Sequence, residues 1–266
     1  MTNKKIVGGF EKEIYLTALR HKLINVNEAR DIAGNEATAR MALWRLTTKG
    51  SLLRVKSGWY AAIPPEQVNT TYEIDRYLLF DRLMGSTGAL AYHSALELHG
   101  VAHSSFSTVY YLSTKKRQPY EFQDVFYKPV WTSQLFGTMP FMLDDQIVQI
   151  TDKERTFIDC IRRLDLSGGL EECLKSVEGF KLLRSSTLVD YLERFNEQSL
   201  YQRTGFVLDH LKDRIKVSDD LLDVLLSRVG KNVYYLIPWK KGNEGRLVKE
   251  WNILIPRNLE EMARYV

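Results

Sequence analysis

The chain has 266 residues, of which 44% are hydrophobic and 26% charged, the composition of an ordinary globular protein. This length favours two domains. No apolar run comes near the roughly 18 residues that cross a bilayer, and the N-terminus lacks the apolar segment of a secretory signal, so a cytoplasmic location is expected. Cys160 and Cys173 are too few and too far apart for a metal knuckle or a disulfide framework, and both thiols are expected to be reduced.

The excess of positive charge lies in the first quarter of the chain. Up to Glu66 there are 11 Lys and Arg against six Asp and Glu, whereas the remainder has 26 basic and 27 acidic residues. A polyanion is therefore a reasonable partner for this first segment. Charge alone is equally consistent with a solvated basic surface that has no partner.

The first segment has the pattern of a helix-turn-helix. Apolar residues near a helical period predict a first helix over 10–23. Asn27 is the expected N-cap of a short second helix, which ends at Gly34. Asn35 is the expected N-cap of a third helix, which ends at Gly50. The side chains that this third helix is expected to bury are Ala39, Ala42, Leu43 and Leu46.

A hairpin is predicted directly after the third helix. Two short runs rich in strand formers flank a Ser-Gly turn at Gly58, which is typical of the wing of a winged helix-turn-helix. Pro64-Pro65 ends the second strand because proline cannot donate to a ladder. The prolines predict a boundary between a DNA-binding domain over 1–66 and a C-terminal domain over 70–266.

The third helix is the expected recognition helix, which enters the major groove where side chains reach base edges. Arg40 is the best candidate for a bidentate contact to guanine, and Arg45 and Lys49 are expected to contact phosphates. On the wing, Arg54 and Lys56 could reach phosphate or the minor groove. The predicted DNA-binding residues are Thr38, Arg40, Arg45, Lys49, Arg54 and Lys56. The alternatives are that these arginines merely solvate a helix, or that the fold is a protein-interaction module.

The remaining residues predict a larger mixed domain with a modest sheet and several helices, so the chain belongs to the α+β class. Helical patterns occupy 71–84, 88–100, 151–164, 185–197, 200–214 and 218–228. Strand patterns occupy 104–114, 121–131, 146–151, 233–238 and 251–256. Thr151 and Glu154 have the spacing of a capping box at a helix start.

Three histidines, His93, His99 and His103, lie within 11 residues, which makes a metal site conceivable. Their spacing places His93 and His99 on different faces of a helix, and no cysteine or carboxylate pair completes a ligand set. Capping or hydrogen-bonded histidines are expected instead, with no metal and no cofactor. The chain has no P-loop or other catalytic constellation and is not expected to be an enzyme. The alternative hypothesis is an enzyme that uses this histidine region.

A short basic run, Lys115-Lys116-Arg117, follows a predicted strand. It is expected to be a solvated loop. A second DNA contact and a handle for an acidic partner are the alternatives.

Four stretches in order resemble a known family: KGSLLRVKSGWYAAIP, ALAYHSALELHGV, VYYLSTKKR and TDKERTFIDCIRRLDLSGGLEE. Their order resembles the AbiEi-type antitoxins of bacterial and archaeal abortive-infection systems, over about 10–180. The most specific strings are Ala91 to Gly100 and Thr151 to Thr156. Neither string is a catalytic signature.

The resemblance implies two functions. The winged-helix domain would bind inverted repeats of double-stranded DNA in its own promoter and repress its own operon, through the six residues named above. The C-terminal domain would antagonise a nucleotidyltransferase toxin encoded beside it, as a type IV antitoxin that needs no stable complex with the toxin. No membrane partner is expected. The alternative is a stand-alone winged-helix regulator whose C-terminal domain senses a ligand or a partner, and the neighbouring gene distinguishes the two.

Overall fold

The computed structural model describes residues 9–68, 72–84, 87–144, 146–238, 245–259 and 261. It confirms the α+β class, and the chain divides into two compact units, Met1–Gly85 and Ser86–Val266. The helices of the described residues are α1 Gly9–His21, α2 Val26–Ala33, α3 Glu36–Thr48, α4 Arg76–Met84, α5 His93–Leu98, α6 Lys153–Arg162, α7 Gly169–Glu178, α8 Ser185–Phe195, α9 Gln198–His210 and α10 Asp219–Ser227. The strands are β1 Leu23–Asn25, β2 Leu52–Lys56, β3 Trp59–Ala62, β4 Gly88–Leu90, β5 Thr108–Ser113, β6 Tyr120–Phe122, β7 Val125–Trp131, β8 Thr138–Leu143, β9 Gln146–Thr151, β10 Tyr234–Tyr235, β11 Gly245–Val248 and β12 Ile253–Pro256.

Local capping sets the start of the helix-turn-helix in the smaller unit. The Asn25 side chain accepts from the backbone N–H of Glu28 at 3.0 Å, and the Glu28 carboxylate accepts from the Asn25 N–H at 2.8 Å. This reciprocal capping box places the N-cap of α2 at Asn25, two residues before the predicted cap at Asn27. Gly34, with φ of 82°, ends α2, and Asn35 caps α3 as predicted.

A three-stranded sheet, in the order β1-β3-β2, completes the smaller unit. The predicted wing hairpin is confirmed as β2 and β3. Strand β1, in contrast, lies where the sequence predicted the end of the first helix. The helix stops at His21, Lys22 adopts φ of 64°, and Leu23 then pairs with Ala61 of β3.

The core of the smaller unit lies between α1, α3 and the sheet. All four predicted residues of α3 (Ala39, Ala42, Leu43 and Leu46) are buried, as are Ile14 and Ala18 of α1. Phe10 and Leu16, two apolar residues of α1, are exposed. Leu16 lies on the side of α1 opposite Ile14 and Ala18, whereas Phe10, four residues before Ile14, lies on their side of the helix but in its first turn.

Helix α4 belongs to the smaller unit. The guanidinium of Arg82 donates to the carbonyl of Leu23 at 3.3 Å and to the carboxylate of Glu28 at 3.0 Å. These bonds join α4 to the start of the helix-turn-helix. The unit therefore continues to Gly85, past the boundary expected at Glu66.

The larger unit contains a six-stranded mixed sheet in the order β6-β7-β5-β4-β9-β8. Strands β5 and β7 pair in parallel, as do β4 and β9 through Leu90 and Ile150, and the other neighbours are antiparallel. The helix expected over 88–100 is shorter, because its first three residues form β4. The strand expected over 121–131 is a hairpin that turns at Gln123 and Asp124.

Helices α6 to α10 pack with a second small sheet, in the order β10-β12-β11, around the main core of the larger unit. Asp152 caps α6 by accepting from the Arg155 N–H at 2.8 Å, so the helix begins after Asp152 and Thr151 is not its cap. Glu154, expected in a capping box, accepts from Arg184 instead. None of the described helices combines the length and hydropathy needed to cross a membrane.

Candidate nucleic-acid interface

Helix α3 presents a broad exposed face opposite its buried stripe. Trp44 is 62% exposed and Met41 is also exposed, which is unusual for side chains of this size and apolarity. Arg40 and Arg45 are exposed on the same helix. A single helix with exposed basic and apolar groups matches the requirements for contacts to base edges and thymine methyl groups.

Arg40 is held along the helix by an ion pair one turn away. Its Nη2 lies 2.7 Å and its Nε 2.8 Å from Oε1 of Glu36. The Arg40 side chain is 63% exposed, and exposed pairs of this type contribute only about 0–1 kcal/mol to stability. The guanidinium can therefore exchange this carboxylate for another acceptor with little loss of stability.

Arg45 and Lys49 share a nearly buried carboxylate. Arg45 Nη1 lies 3.2 Å from one oxygen of Glu11, and Lys49 Nζ lies 2.9 Å from the other. Burial alone would raise the pKa of Glu11, but the hydrogen bonds from Lys49 and Arg45 outweigh it and lower that pKa. The two cations therefore connect α3 to α1 and leave one positive charge in excess at the end of α3.

Thr38 lies at the start of α3, where its backbone N–H donates to the Asn35 side chain at 2.8 Å. Its side chain is half-buried. Thr38 is thus the least accessible of the predicted DNA-binding residues on this helix.

The wing carries the other two predicted residues. Arg54 is exposed on β2 opposite Tyr60, and forms no ion pair with any residue that the structure describes. Lys56 is half-buried at the end of β2, beyond a shift in register between these two residues. The turn that follows is held by the Val26 N–H, which donates to the Gly58 carbonyl at 3.0 Å.

Sequence reasoning did not identify Glu11 as part of this surface. A signal was present, because Glu11 falls on the helical stripe of the buried residues Ile14 and Ala18. An acid on a buried stripe requires cationic partners, since an unpaired buried charge is strongly unfavourable. The sequence did not indicate that these partners would be Arg45 and Lys49.

The side chains of two of the three clustered histidines have partners, and the third histidine is held through its backbone. His93 is fully buried, with Nδ1 3.1 Å from Glu97 and Nε2 3.3 Å from Glu172. His99 Nε2 lies 2.9 Å from the carbonyl oxygen of Thr151, and burial lowers the pKa of His99. Among the residues described here, no group of three His, Cys, Asp or Glu side chains is arranged to hold a metal ion.

Glu172 organises the loop that contains the third histidine. It accepts from the backbone N–H of His103 at 2.9 Å, from the N–H and hydroxyl of Ser104 at 3.0 and 2.7 Å, and from the Ser176 hydroxyl at 3.0 Å. Burial would raise the pKa of Glu172, but these donors dominate and lower it to about 2. The region is thus a network of hydrogen bonds around one carboxylate.

The basic run after β5 is only partly solvated. Lys115 and Lys116 are exposed, whereas Arg117 is half-buried and donates to the Thr87 hydroxyl at 3.1 Å. Arg117 therefore fastens the loop to the strand region that precedes β4.

Comparison with known proteins identifies a solved structure with a similar fold. No protein-family model matches the chain, and no curated protein matches it by sequence. Among solved structures, the crystal structure of the RV2827C protein from Mycobacterium tuberculosis matches with a TM-score of 0.65 at 14% identity. The match covers 92% of this chain and 91% of that chain. The chain therefore shares the fold of the RV2827C protein over nearly its full length.

Proposed function

We propose that the chain is a DNA-binding transcriptional autorepressor and the antitoxin of a type IV toxin–antitoxin system, which counters a nucleotidyltransferase toxin encoded beside it. The observation that carries the proposal is the exposed basic face of α3 next to the wing. The match to the RV2827C protein is consistent with it at the level of fold.

In this proposal α3 lies in the major groove of double-stranded DNA. Arg40 exchanges Glu36 for the O6 and N7 acceptors of a guanine. Arg45 and Lys49 remain close enough to solvent to contact phosphates with their outer donors, and Arg54 and Lys56 contact the backbone or the minor groove beside the wing. Inverted repeats would be bound by two copies of the chain, one on each half-site.

The antitoxin role is assigned to the larger unit from the resemblance to AbiEi-type antitoxins. The two most specific strings of that resemblance lie far apart in sequence, but they are in contact through His99 and the Thr151 carbonyl. Leu90 and Ile150, just before the two strings, pair as neighbours in adjacent strands. The two strings thus form one contact between the sheet and the helices. This contact supports an architecture shared with the AbiEi-type antitoxins. The proposal involves neither a cofactor nor an enzymatic activity of this chain.

The DNA-binding half is tested by a gel shift of the full-length protein on the DNA upstream of its operon. The double variant Arg40→Ala/Arg54→Ala should lose most of its affinity, because it removes one predicted base contact and one wing contact. The double variant Arg163→Ala/Arg228→Ala removes two exposed arginines of the larger unit and serves as the control for net charge. Equal loss in both double variants would contradict the assigned interface.

The antitoxin half is tested by co-expression with the product of the neighbouring gene. Wild-type protein and the Arg40→Ala/Arg54→Ala variant should both restore growth, whereas only the wild type should repress the promoter. A protein that represses but never restores growth would instead be the stand-alone regulator.

A further inference from the structure

The larger unit contains a cavity of about 290 Å³ that neither proposed role uses. It lies between the end of β7, the segment that follows β7, α6 and the end of α8. Its lining includes three arginines and a single carboxylate, that of Glu197. The volume is just below the roughly 300–1,000 Å³ of small-molecule sites. It is too small for a duplex or a folded partner.

One of these arginines is fixed deep inside the unit. The side chain of Arg155 is only 2% exposed, and its guanidinium lies 4.0 Å from the ring centre of Phe136 and 4.4 Å from that of Phe195. Its Nε donates to Asp159 at 2.9 Å and its Nη1 to the Phe136 carbonyl at 3.3 Å. Its Nη2 has no hydrogen-bond partner among the residues that the structure describes. The arginine is therefore held in one orientation, and its Nη2 donor is available to a ligand.

The other two arginines differ in how firmly they are paired. Arg162 forms two hydrogen bonds to the carboxylate of Glu197, at 3.1 and 2.5 Å. Arg194 is 51% exposed and lies 3.1 Å from Asp190, which does not line the cavity. Arg194 can therefore turn its remaining donors to an anion without leaving a buried charge unpaired.

The wall of the cavity has two further properties of a binding site. Tyr92 is fully buried with φ of 55° and ψ of −135°, a conformation that is unfavourable for any residue other than glycine. Such backbone strain is concentrated at functional sites. Trp131 lines the cavity while more than half exposed, so one large ring is open to a planar ligand.

We propose that this cavity binds a small phosphate-bearing molecule of the size of a nucleoside monophosphate. Arginine forks match the geometry of phosphate oxygens, so the donors of Arg155 and Arg194 would hold the phosphate. The planar base would stack on Trp131, as bases do on exposed aromatic side chains. This site goes beyond the repressor and antitoxin roles and does not depend on them.

The experiment is isothermal titration of the full-length protein with AMP, GMP, CMP and UMP. Inorganic phosphate and adenosine, each titrated alone, separate the phosphate and ring contributions. Saturable binding of at least one monophosphate at one site per chain is expected, with weaker binding of phosphate and of adenosine. Binding of the nucleotide should quench the tryptophan fluorescence of the protein, and this quenching should be absent in Trp131→Phe.

Two variants decide whether the cavity is the site. Arg194→Ala should weaken binding about ten-fold or more, because a charge-assisted hydrogen bond is lost. Arg228→Ala is the matched control, since Arg228 is 54% exposed and pairs with exposed Glu193 outside the cavity. Both should melt at the wild-type temperature. Absence of monophosphate binding, or equal weakening by the two variants, would overturn the proposal. If inorganic phosphate bound as tightly as all four nucleotides, this result would overturn the proposed stacking of the base on Trp131.

Discussion

Replacing Glu11 by glutamine separates the two proposed roles of Arg45 and Lys49. One role is to stabilise the contact between α1 and α3, and the other is to bind phosphates. In the wild type both cations bind the Glu11 carboxylate, at 3.2 and 2.9 Å. Removing one partner of a fully buried pair costs about 3–5 kcal/mol. Here both cations are half exposed and return to water, so a loss of about 1–2 kcal/mol in the free energy of unfolding is expected. The same change frees two positive charges at the end of α3.

The freed cations should strengthen DNA binding at low salt. If they contact phosphates, the slope of log affinity against log salt concentration should steepen by about one. The measurements are thermal or denaturant unfolding and a salt series of fluorescence anisotropy on operator DNA. Glu13→Gln is the control, because Glu13 lies exposed on the same helix and its replacement makes the same change in net charge.

Two outcomes would refute this reasoning. Unchanged stability would mean that the Glu11 carboxylate does not hold α1 and α3 together. A salt slope identical to that of the wild type, or an equal change in Glu13→Gln, would remove Arg45 and Lys49 from the phosphate-contacting set.

Three further predictions concern one exposed pair, one buried acid and one glycine. Arg40→Ala should weaken operator binding by about 1–3 kcal/mol with little change in melting temperature, whereas Glu36→Gln should strengthen binding; equal affinities in gel shifts would exclude a base contact by Arg40. The pKa of Glu172 is lowered from 4.5 to about 2, so its contribution to stability, up to about 3 kcal/mol, is present above pH 4.5 and is lost as the pH falls toward 2. Unfolding measured across this range should show a smaller loss in Glu172→Gln, and parallel curves would contradict the assignment. Gly205→Ala should destabilise the larger unit by about 1–3 kcal/mol, because the added methyl overlaps a buried tryptophan ring, whereas Gly9→Ala meets open space and should melt no earlier than the wild type.

The helix-turn-helix was predictable because its signals are local. Gly34 must adopt a positive φ, and Asn35 caps the helix that follows it within the same few residues. The buried stripe of α3 follows from helical periodicity alone. The exposed position of Arg40 follows from the same periodicity.

The three-residue strands β1 and β4 were not predictable, because their partners are distant in sequence. Leu23 has a typical helical neighbourhood but pairs with Ala61, and Leu90 pairs with Tyr111 and Ile150. Three residues are too few to show an alternating pattern. Tertiary pairing, rather than local preference, decides their conformation.

The ion-pair partners at both candidate sites were equally hidden. Glu11 precedes Arg45 by 34 residues, and Arg162 pairs with Glu197 across a separation of 35. A charge pattern shows that a segment is basic, but it does not show which cations are already engaged by carboxylates. Only the fold distinguishes Arg54, which has no ion-pair partner among the described residues, from Lys49.

Strand β1 also determines how the smaller unit would meet a ligand. Asn25 pairs with Trp59 of the wing and caps α2, so hydrogen bonds join the wing to the helix-turn-helix before any DNA is present. Elements that are ordered in advance lose less conformational entropy on association. The helix and the wing would engage or release the duplex as one rigid body. Loss of the Asn25 interactions would therefore weaken contacts in both grooves together.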